Sequence, residues 1–266
     1  ETGAADAFAL DDAELALACA SHSGEPLHTE RVAAWLARLG LTERDLACGA
    51  HAPLDREAAR ELRRAGGVPT PVHSNCSGKH TGMLTTAVHL GEPTAGYLDP
   101  SHPVQRRVRA VFEALMGATL GEPGVDGCGV PSWPVPLDRL AVAMANLCER
   151  PAATRLLAAM RAHPELVAGT GRLDTALMRA RPDLVAKGGA EGVHVAVIPD
   201  RSLAVAVKAE DGAARAAEVA LLAALDRLVG GISDHPDLRP HTEPAIQNVA
   251  GKTVGAIRAA EGWPSL

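Results

Sequence analysis

The sequence predicts a mixed α and β domain in which helices pack on a mainly antiparallel sheet, and three observations carry that expectation. Apolar residues recur at helical spacing along most of the chain, and the stretches are punctuated by Pro at their starts or Gly at their ends. Two β-rich runs, Val193 to Ile198 and Ser202 to Lys208, flank Pro199-Asp200-Arg201, which is a hairpin signal. Helices interleaved with a late antiparallel hairpin argue against a purely parallel sheet.

The elements follow in order. Leu15 to Ala20 is a short apolar run that ends at Ser21-His22-Ser23-Gly24, and it reads as a buried strand entering a polar loop. Pro26 opens a helix whose apolar face includes Val32, Trp35, Leu36 and Leu39, with Gly40 as its stop. Leu54 to Ala65 is a charged helix closed by Gly66-Gly67. Met83 to Leu90 is helical and capped by Gly91. Ser101 and Pro103 begin a helix with Val104, Val108, Val111 and Leu115 on one face and Gly117 at its end. Gly121 to Pro136 is a Pro- and Gly-rich loop that carries Asp126-Gly127-Cys128-Gly129. Helical patterns resume over Leu137 to Leu147, Ala152 to Ala162, Arg172 to Arg181 and, after the hairpin, about Ala213 to Leu228. From Gly230 the chain is rich in Pro and His. We therefore expect one domain over residues 1–230 and an irregular tail over 231–266 packed on it. There is no internal repeat and no convincing linker.

Composition narrows the function classes. A chain of 266 residues with 47% hydrophobic and 22% charged residues is globular and long enough for a substantial core. A formal charge of -6 leaves no basic footprint for nucleic acid. No apolar run reaches membrane-spanning length, and the sequence shows no signal-peptide pattern. Five widely spaced cysteines do not form a disulfide framework, so a reducing cytoplasm is expected.

Chemistry concentrates at Ser74-Asn75-Cys76-Ser77-Gly78-Lys79-His80. The chain carries its positive charge mainly on arginine, and its only lysines are Lys79, Lys187, Lys208 and Lys252. Lysine can lose its proton when buried, whereas arginine stays charged. A phosphate loop is excluded, because His73 stands where the first Gly belongs and His80 stands where Ser or Thr belongs. Cys76, before a helix N-terminus, suits a thiolate, and Cys128 offers a second sulfur to a metal such as zinc. The competing reading is a buried cysteine with a capping lysine nearby. Cys19 and Cys148 read as core residues, and Cys48 as structural. Ser21 or Ser23 reads either as a mounted catalytic hydroxyl or as a helix cap. Lys187-Gly188-Gly189 offers either a base for a serine or a solvated loop lysine. His163-Pro164-Glu165 reads as a helix boundary.

In combination these segments resemble a known family. Cys19-Ala20-Ser21-His22-Ser23, Ser74 to His80, Asp126-Gly127-Cys128, His163-Pro164-Glu165 with Val167-Ala168-Gly169, Gly171-Arg172 with Asp174-Thr175, and Lys187-Gly188-Gly189 occur in matching order. Over about Asp11 to Gly212 the chain is similar to the bacterial L-asparaginase family typified by the inducible asparaginase of Rhizobium etli. The resemblance implies a fold similar to serine β-lactamases and glutaminases, and hydrolysis of L-asparagine to aspartate and ammonia. It also implies a catalytic Ser-Lys pair at Ser21 and Lys187, a zinc site at Cys76, Lys79 and Cys128, and pocket residues His80 and Asp126. A homodimer is implied too. One departure stands out. The family carries an upstream Arg-Ser-x-x-Lys segment with the expected nucleophile, preceded by strands. No Ser-x-x-Lys occurs here, since Cys76, Leu184, Val205 and Val249 stand three residues before the lysines. The expectation is an N-terminally incomplete amidohydrolase with little turnover of its own, lacking those strands. The alternative is a degenerate, non-catalytic protein that binds zinc or a small amide.

Overall fold

Helices α1 (Ala4–Ala7) and α2 (Asp12–Ala18) open the computed structural model, which describes residues 1–263. Helix α2 corrects the strand expected over Leu15 to Ala20. Asp11 and Glu14 form a reciprocal capping box that starts a helix just before the apolar run, and local capping decides the conformation. Ala16 and Leu17 are fully buried at the centre of the molecule, where α2 packs on several neighbouring helices. Glu14 also receives both guanidinium nitrogens of Arg38, at 2.5 and 2.8 Å. This bidentate pair fixes α2 against α3 (Pro26–Arg38).

Helix α4 (Arg56–Arg64) is the charged helix, and it leads to α5 (Ser77–His89) and α6 (Pro103–Met116). Helix α5 starts at Ser77, so Ser77 to His80 form its first turn and Cys76 is its N-cap residue. It lies so close to α2 that a Cβ at Gly78 would run into the carbonyl oxygen of Leu17. Glycine there is a condition of the packing. Helix α6 ends on Gly117 in the left-handed region, φ 64°.

Two-residue strands β1 (Gly124–Val125) and β2 (Pro131–Ser132) pair across the expected loop and present Asp126 to Gly129 as its tip. Helices α7 (Leu137–Cys148), α8 (Pro151–Ala162), α9 (Pro164–Val167) and α10 (Leu173–Ala180) follow, with the α8–α9 break at His163. The sheet is the antiparallel meander β3 (Val185–Gly188), β4 (Val193–Ile198) and β5 (Leu203–Lys208). Its central strand is almost wholly buried, with α7 and α11 (Ala214–Val229) packed on β5 and α10 packed on β3. The fold is thus mixed α and β with antiparallel pairing throughout, and among the described residues twelve α-helices outweigh small sheets.

The segment after Gly230 is more regular than its composition suggested. Ile232 and Leu238 are fully buried in the core. Helix α12 (Arg239–Thr242) and an exposed hairpin, β6 (Ala245–Gln247) with β7 (Thr253–Ala256), come after them. Residues 264–266 of the expected tail lie outside the described residues. Among the described residues no helix is long and apolar enough to cross a membrane.

Candidate active site

Helix α2 ends at Cys19, and two hydrogen bonds to distant loops then hold the chain. The Ser21 amide donates to the Val167 carbonyl at 3.0 Å, and the His22 amide donates to the Asn75 carbonyl at 2.9 Å. Ser21 therefore follows a helix and not the strand end first expected. Neither Ser21 nor Ser23 caps α3, because Glu25 and His28 do so, and Ser23 Oγ donates to the Ala168 carbonyl at 2.9 Å. Ser21 Oγ is left facing Lys187. The lysine sits on β3, a strand not foreseen in the sequence, and its Nζ lies 2.8 Å from Ser21 Oγ across 166 positions of sequence. Nζ also donates to the Gly188 carbonyl.

Burial pulls the Lys187 pKa below its ordinary 10.5, with the Asp174 carboxylate opposing and the Arg172 charge assisting. A lysine in this position gives up its proton more readily than a solvated one. Both partners are partly accessible, as a pair that meets a small substrate must be. The neighbouring Cys19 thiol is pushed up to about 11 by burial against the pull of the Lys187 charge, which leaves it an inert wall of the site.

Under this pair lies a buried histidine stack. The His22 and His28 rings are 4.6 Å apart and nearly parallel. His22 Nδ1 accepts the Gly24 amide at 3.1 Å, so its proton sits on Nε2 and is donated to Ser77 Oγ at 2.9 Å. Ser77 Oγ in turn donates to the Val72 carbonyl at 3.0 Å. With its proton committed to a carbonyl, Ser77 is structural. His28 is fixed in the same way, accepting the Glu25 amide at Nδ1 and donating from Nε2 to the Glu165 carbonyl at 2.9 Å.

The second cluster joins the first turn of α5 to the β1–β2 loop. Lys79 Nζ lies 3.3 Å from Cys128 Sγ, and Cys128 Sγ lies 3.6 Å from Asp126 Oδ2. Cys76 and Cys128 titrate as a pair. The neighbouring Cys128, more than burial, pushes the Cys76 thiol up. Cys76, against burial, pulls the Cys128 thiol down, with His80 and Lys79 assisting. Burial works against the Lys79 charge, but Cys76 and Cys128 outweigh it and raise its pKa. His80 is fully buried, with Nδ1 held 2.7 Å from the Tyr97 hydroxyl, while its Nε2 has no hydrogen-bond partner. Asp126 also accepts the Gly127 amide at 2.7 Å, which shapes the loop tip.

Among the described residues no three His, Cys, Asp or Glu side chains assemble as a metal site, so a metal here would depend on Lys79 as its third donor. Two sulfurs, a buried imidazole nitrogen without a partner and, once a metal displaces its proton, the Lys79 amine form a donor set that a thiophilic cation can use. The two clusters share one neighbourhood, since the charges of Cys76 and Lys79 both act on Lys187. An apolar groove of about 960 Å³, lined by Leu10, Trp35, Met83, Phe112 and Leu156, touches the site at Cys19 and Lys79.

Of four groups around Lys187, the sequence reading quoted Arg172, Asp174 and Thr175 as part of a motif without giving them a role, and passed over His194. Asp174 and His194 form a buried pair at 2.5 Å. Thr175 bonds the loop that receives the Ser21 amide, and Arg172 places its charge beside the lysine. A histidine inside the apolar run Val193 to Ile198 was the one available signal, since a buried polar group needs a partner.

A Ser-Lys contact and a thiol-amine cluster thus share one neighbourhood within a shell of helices on an α and β domain. The L-asparaginase II family model matches residues 1–259, and the chain belongs to that family, which places it among asparaginase-type amidohydrolases. Comparison with curated protein sequences gives no match.

Proposed function

We propose that the protein hydrolyses the side-chain amide of L-asparagine to L-aspartate and ammonia. Lys187 serves as the proton-transfer group at Ser21 Oγ, and Cys76, Lys79 and Cys128 hold a zinc ion. The observation that carries this reading is the 2.8 Å contact between Lys187 Nζ and Ser21 Oγ in a member of the L-asparaginase II family. Lys187, whose proton burial loosens, takes in its neutral form the Ser21 hydroxyl proton as oxygen attacks the amide carbon, then returns it to the leaving nitrogen as ammonia departs. Water attacking the acyl carbon gives up its proton to the same amine, the bond from Ser21 Oγ to the acyl carbon breaks, and Lys187 returns the proton to Ser21 Oγ as aspartate leaves. Bound zinc would supply positive charge to orient the polar end of the substrate. Arg172 has no carboxylate partner among the described residues, and its charge beside Lys187 suits the substrate α-carboxylate. His80 and Asp126 shape the thiol side of the pocket.

The test is ammonia release from L-asparagine by the full natural chain, with L-glutamine in parallel and the metal content measured. Steady turnover that chelation diminishes supports the reading, and no release from either amide sinks it. A second reading, a non-catalytic binder of zinc or a small amide, draws on one observation. The Ser21 and His22 amides are both engaged by carbonyls, so this loop offers no oxyanion donors next to the hydroxyl. Calorimetric binding of asparagine without hydrolysis would favour it.

A further inference from the structure

The Asp174-Thr175 dipeptide in the first turn of α10 reaches both halves of the Ser21–Lys187 contact. On one side, Asp174 Oδ2 accepts the Gly188 amide at 3.0 Å, and Gly188 is the residue next to Lys187. Asp174 Oδ1 is held by His194 Nε2 at 2.5 Å, and His194 is the register partner of Gly188 on β4. The approach is close, since a Cβ at Gly188 would press on His194 Cε1 at 3.3 Å and touch Asp174 Oδ2 at 3.5 Å. On the other side, Thr175 Oγ1 lies 2.7 Å from the Gly169 carbonyl and 3.1 Å from the Pro164 carbonyl, and it accepts the Gly169 amide at 3.3 Å. The segment fixed in this way, α9 with the residues that follow it, contains Val167, whose carbonyl receives the Ser21 amide. Asp174, Thr175 and His194 are all buried.

We infer that Asp174 and Thr175, with His194 behind them, are positioning residues that set the reach between Lys187 and Ser21. One helical turn bonds the strand that carries the lysine and the loop that anchors the serine, so the two halves move together. Two residues adjacent on one helix cannot shift relative to each other, and a proton-transfer contact needs that constancy. Neither side chain is directed at a substrate in this arrangement, because their oxygens are committed to Gly188, His194, Gly169 and Pro164. The Asp174 charge is firmly held. Burial opposes it, but the His194 hydrogen bond and charge outweigh burial, with Lys187 and the Gly188 amide adding, and the carboxyl rests at about 2. Lys187 is faced by Asp174 from α10, by Arg172 just before that helix and by Cys19 from the end of α2, with Cys76 and Lys79 contributing from the thiol cluster.

The inference rests on the Ser-Lys reading above, and its test separates the two. The full natural chain is compared with D174N, T175V and T175S. Three quantities are measured: kcat and KM for L-asparagine, thermal unfolding, and the pH dependence of Lys187 acetylation by acetic anhydride, read by mass spectrometry. D174N should lower kcat by about 10-fold or more with KM little changed, since a small misplacement is costly. It should also move the Lys187 labelling midpoint down by about one pH unit, because the favourable negative charge is gone. T175V should lower kcat and raise the Lys187 acetylation rate several-fold, and T175S, which keeps the hydroxyl, should restore both. If the wild-type chain hydrolyses nothing, the functional reading fails and the labelling still decides the positioning. If D174N does not fold, the T175V and T175S pair decides it. Folded variants with wild-type kcat and unchanged Lys187 labelling overturn the inference.

Discussion

The two clusters of the site are built on different foundations. Lys187 lies on a strand of the three-stranded sheet, and Ser21 is anchored by backbone bonds to Val167 and, through His22, to Asn75. Regular structure and buried hydrogen bonds hold both. The thiol cluster pairs a helix N-terminus with the tip of a two-residue hairpin. Its side chains are bound less by framework than by one another, Lys79 Nζ to Cys128 Sγ at 3.3 Å and Cys128 Sγ to Asp126 Oδ2 at 3.6 Å. The first arrangement suits proton transfer, which tolerates little change in distance. The second suits a centre that adapts as it takes up a cation or a charged substrate.

Substitutions that touch only one cluster test this contrast, and the largest effect belongs to the rigid pair. Lys187→Met should reduce asparagine hydrolysis by about 100- to 10,000-fold at unchanged thermal stability, measured as kcat by ammonia release. A smaller loss would remove the lysine from proton transfer. Cys128→Ser comes next: zinc content should fall, and KM should rise by roughly 10- to 100-fold while kcat changes less. Equal losses in kcat and kcat/KM would instead make the thiol cluster part of the chemical step. Arg172→Ala should raise KM by about 10-fold without affecting kcat, the signature of lost uniform binding. If kcat falls instead, the arginine belongs with the lysine and not with the substrate.

Two further expectations concern the ground under each cluster. Gly78→Ala should cost about 1–3 kcal/mol by forcing α5 away from α2, read as a lower urea midpoint at constant slope. An unchanged midpoint would show that the seam between these helices can give. The histidine stack sets the smallest effect. Burial, with the charges of His28 and His51, holds the His22 pKa well below 6.5, and burial outweighs the carbonyl of Glu165 and the charge of Glu25 in lowering that of His28. The unfolded chain then binds protons that the folded one refuses. The stability from neutral burial is complete above pH 6.5 and is lost as pH falls from there towards the folded-state values. Urea midpoints at pH 7.5 and 5.5 should differ in the wild type and differ less in His28→Asn.

Much of the helical architecture was legible because the chain punctuates it. Pro26, Pro103, Gly40 and Gly117 mark helix limits within a residue or so of those observed, and Pro199 sits in the turn of the main hairpin. The error at Leu15 to Ala20 came from weighing a short apolar run above the Asp11 and Glu14 capping box that precedes it. Strand β3 escaped notice because it is four residues long and ends in glycine, so its pairing with β4 and not its own pattern makes it a strand. The contacts of Ser21 with Lys187 and of Lys79 with Cys128 span 166 and 49 positions. No local periodicity reports such pairs, and only resemblance to a family brought their members together beforehand. The pairing of Asp174, quoted only as part of a motif, with His194 was missed for the same reason, since each residue's meaning lies in the other.

The close approach of α5 to α2 at Gly78 has a consequence for anyone redesigning this pocket. The carbonyl and side chain of Leu17 crowd Gly78 there, so a larger residue at position 78 acts directly on the spacing of the helices. Ser21 lies three residues past the end of α2, and Cys76 lies one residue before the start of α5. The interval between the Ser21–Lys187 pair and the thiol cluster is therefore set at this seam. Libraries that vary loop tips can reshape the entrance, but moving the two clusters apart calls for a change where the helices meet.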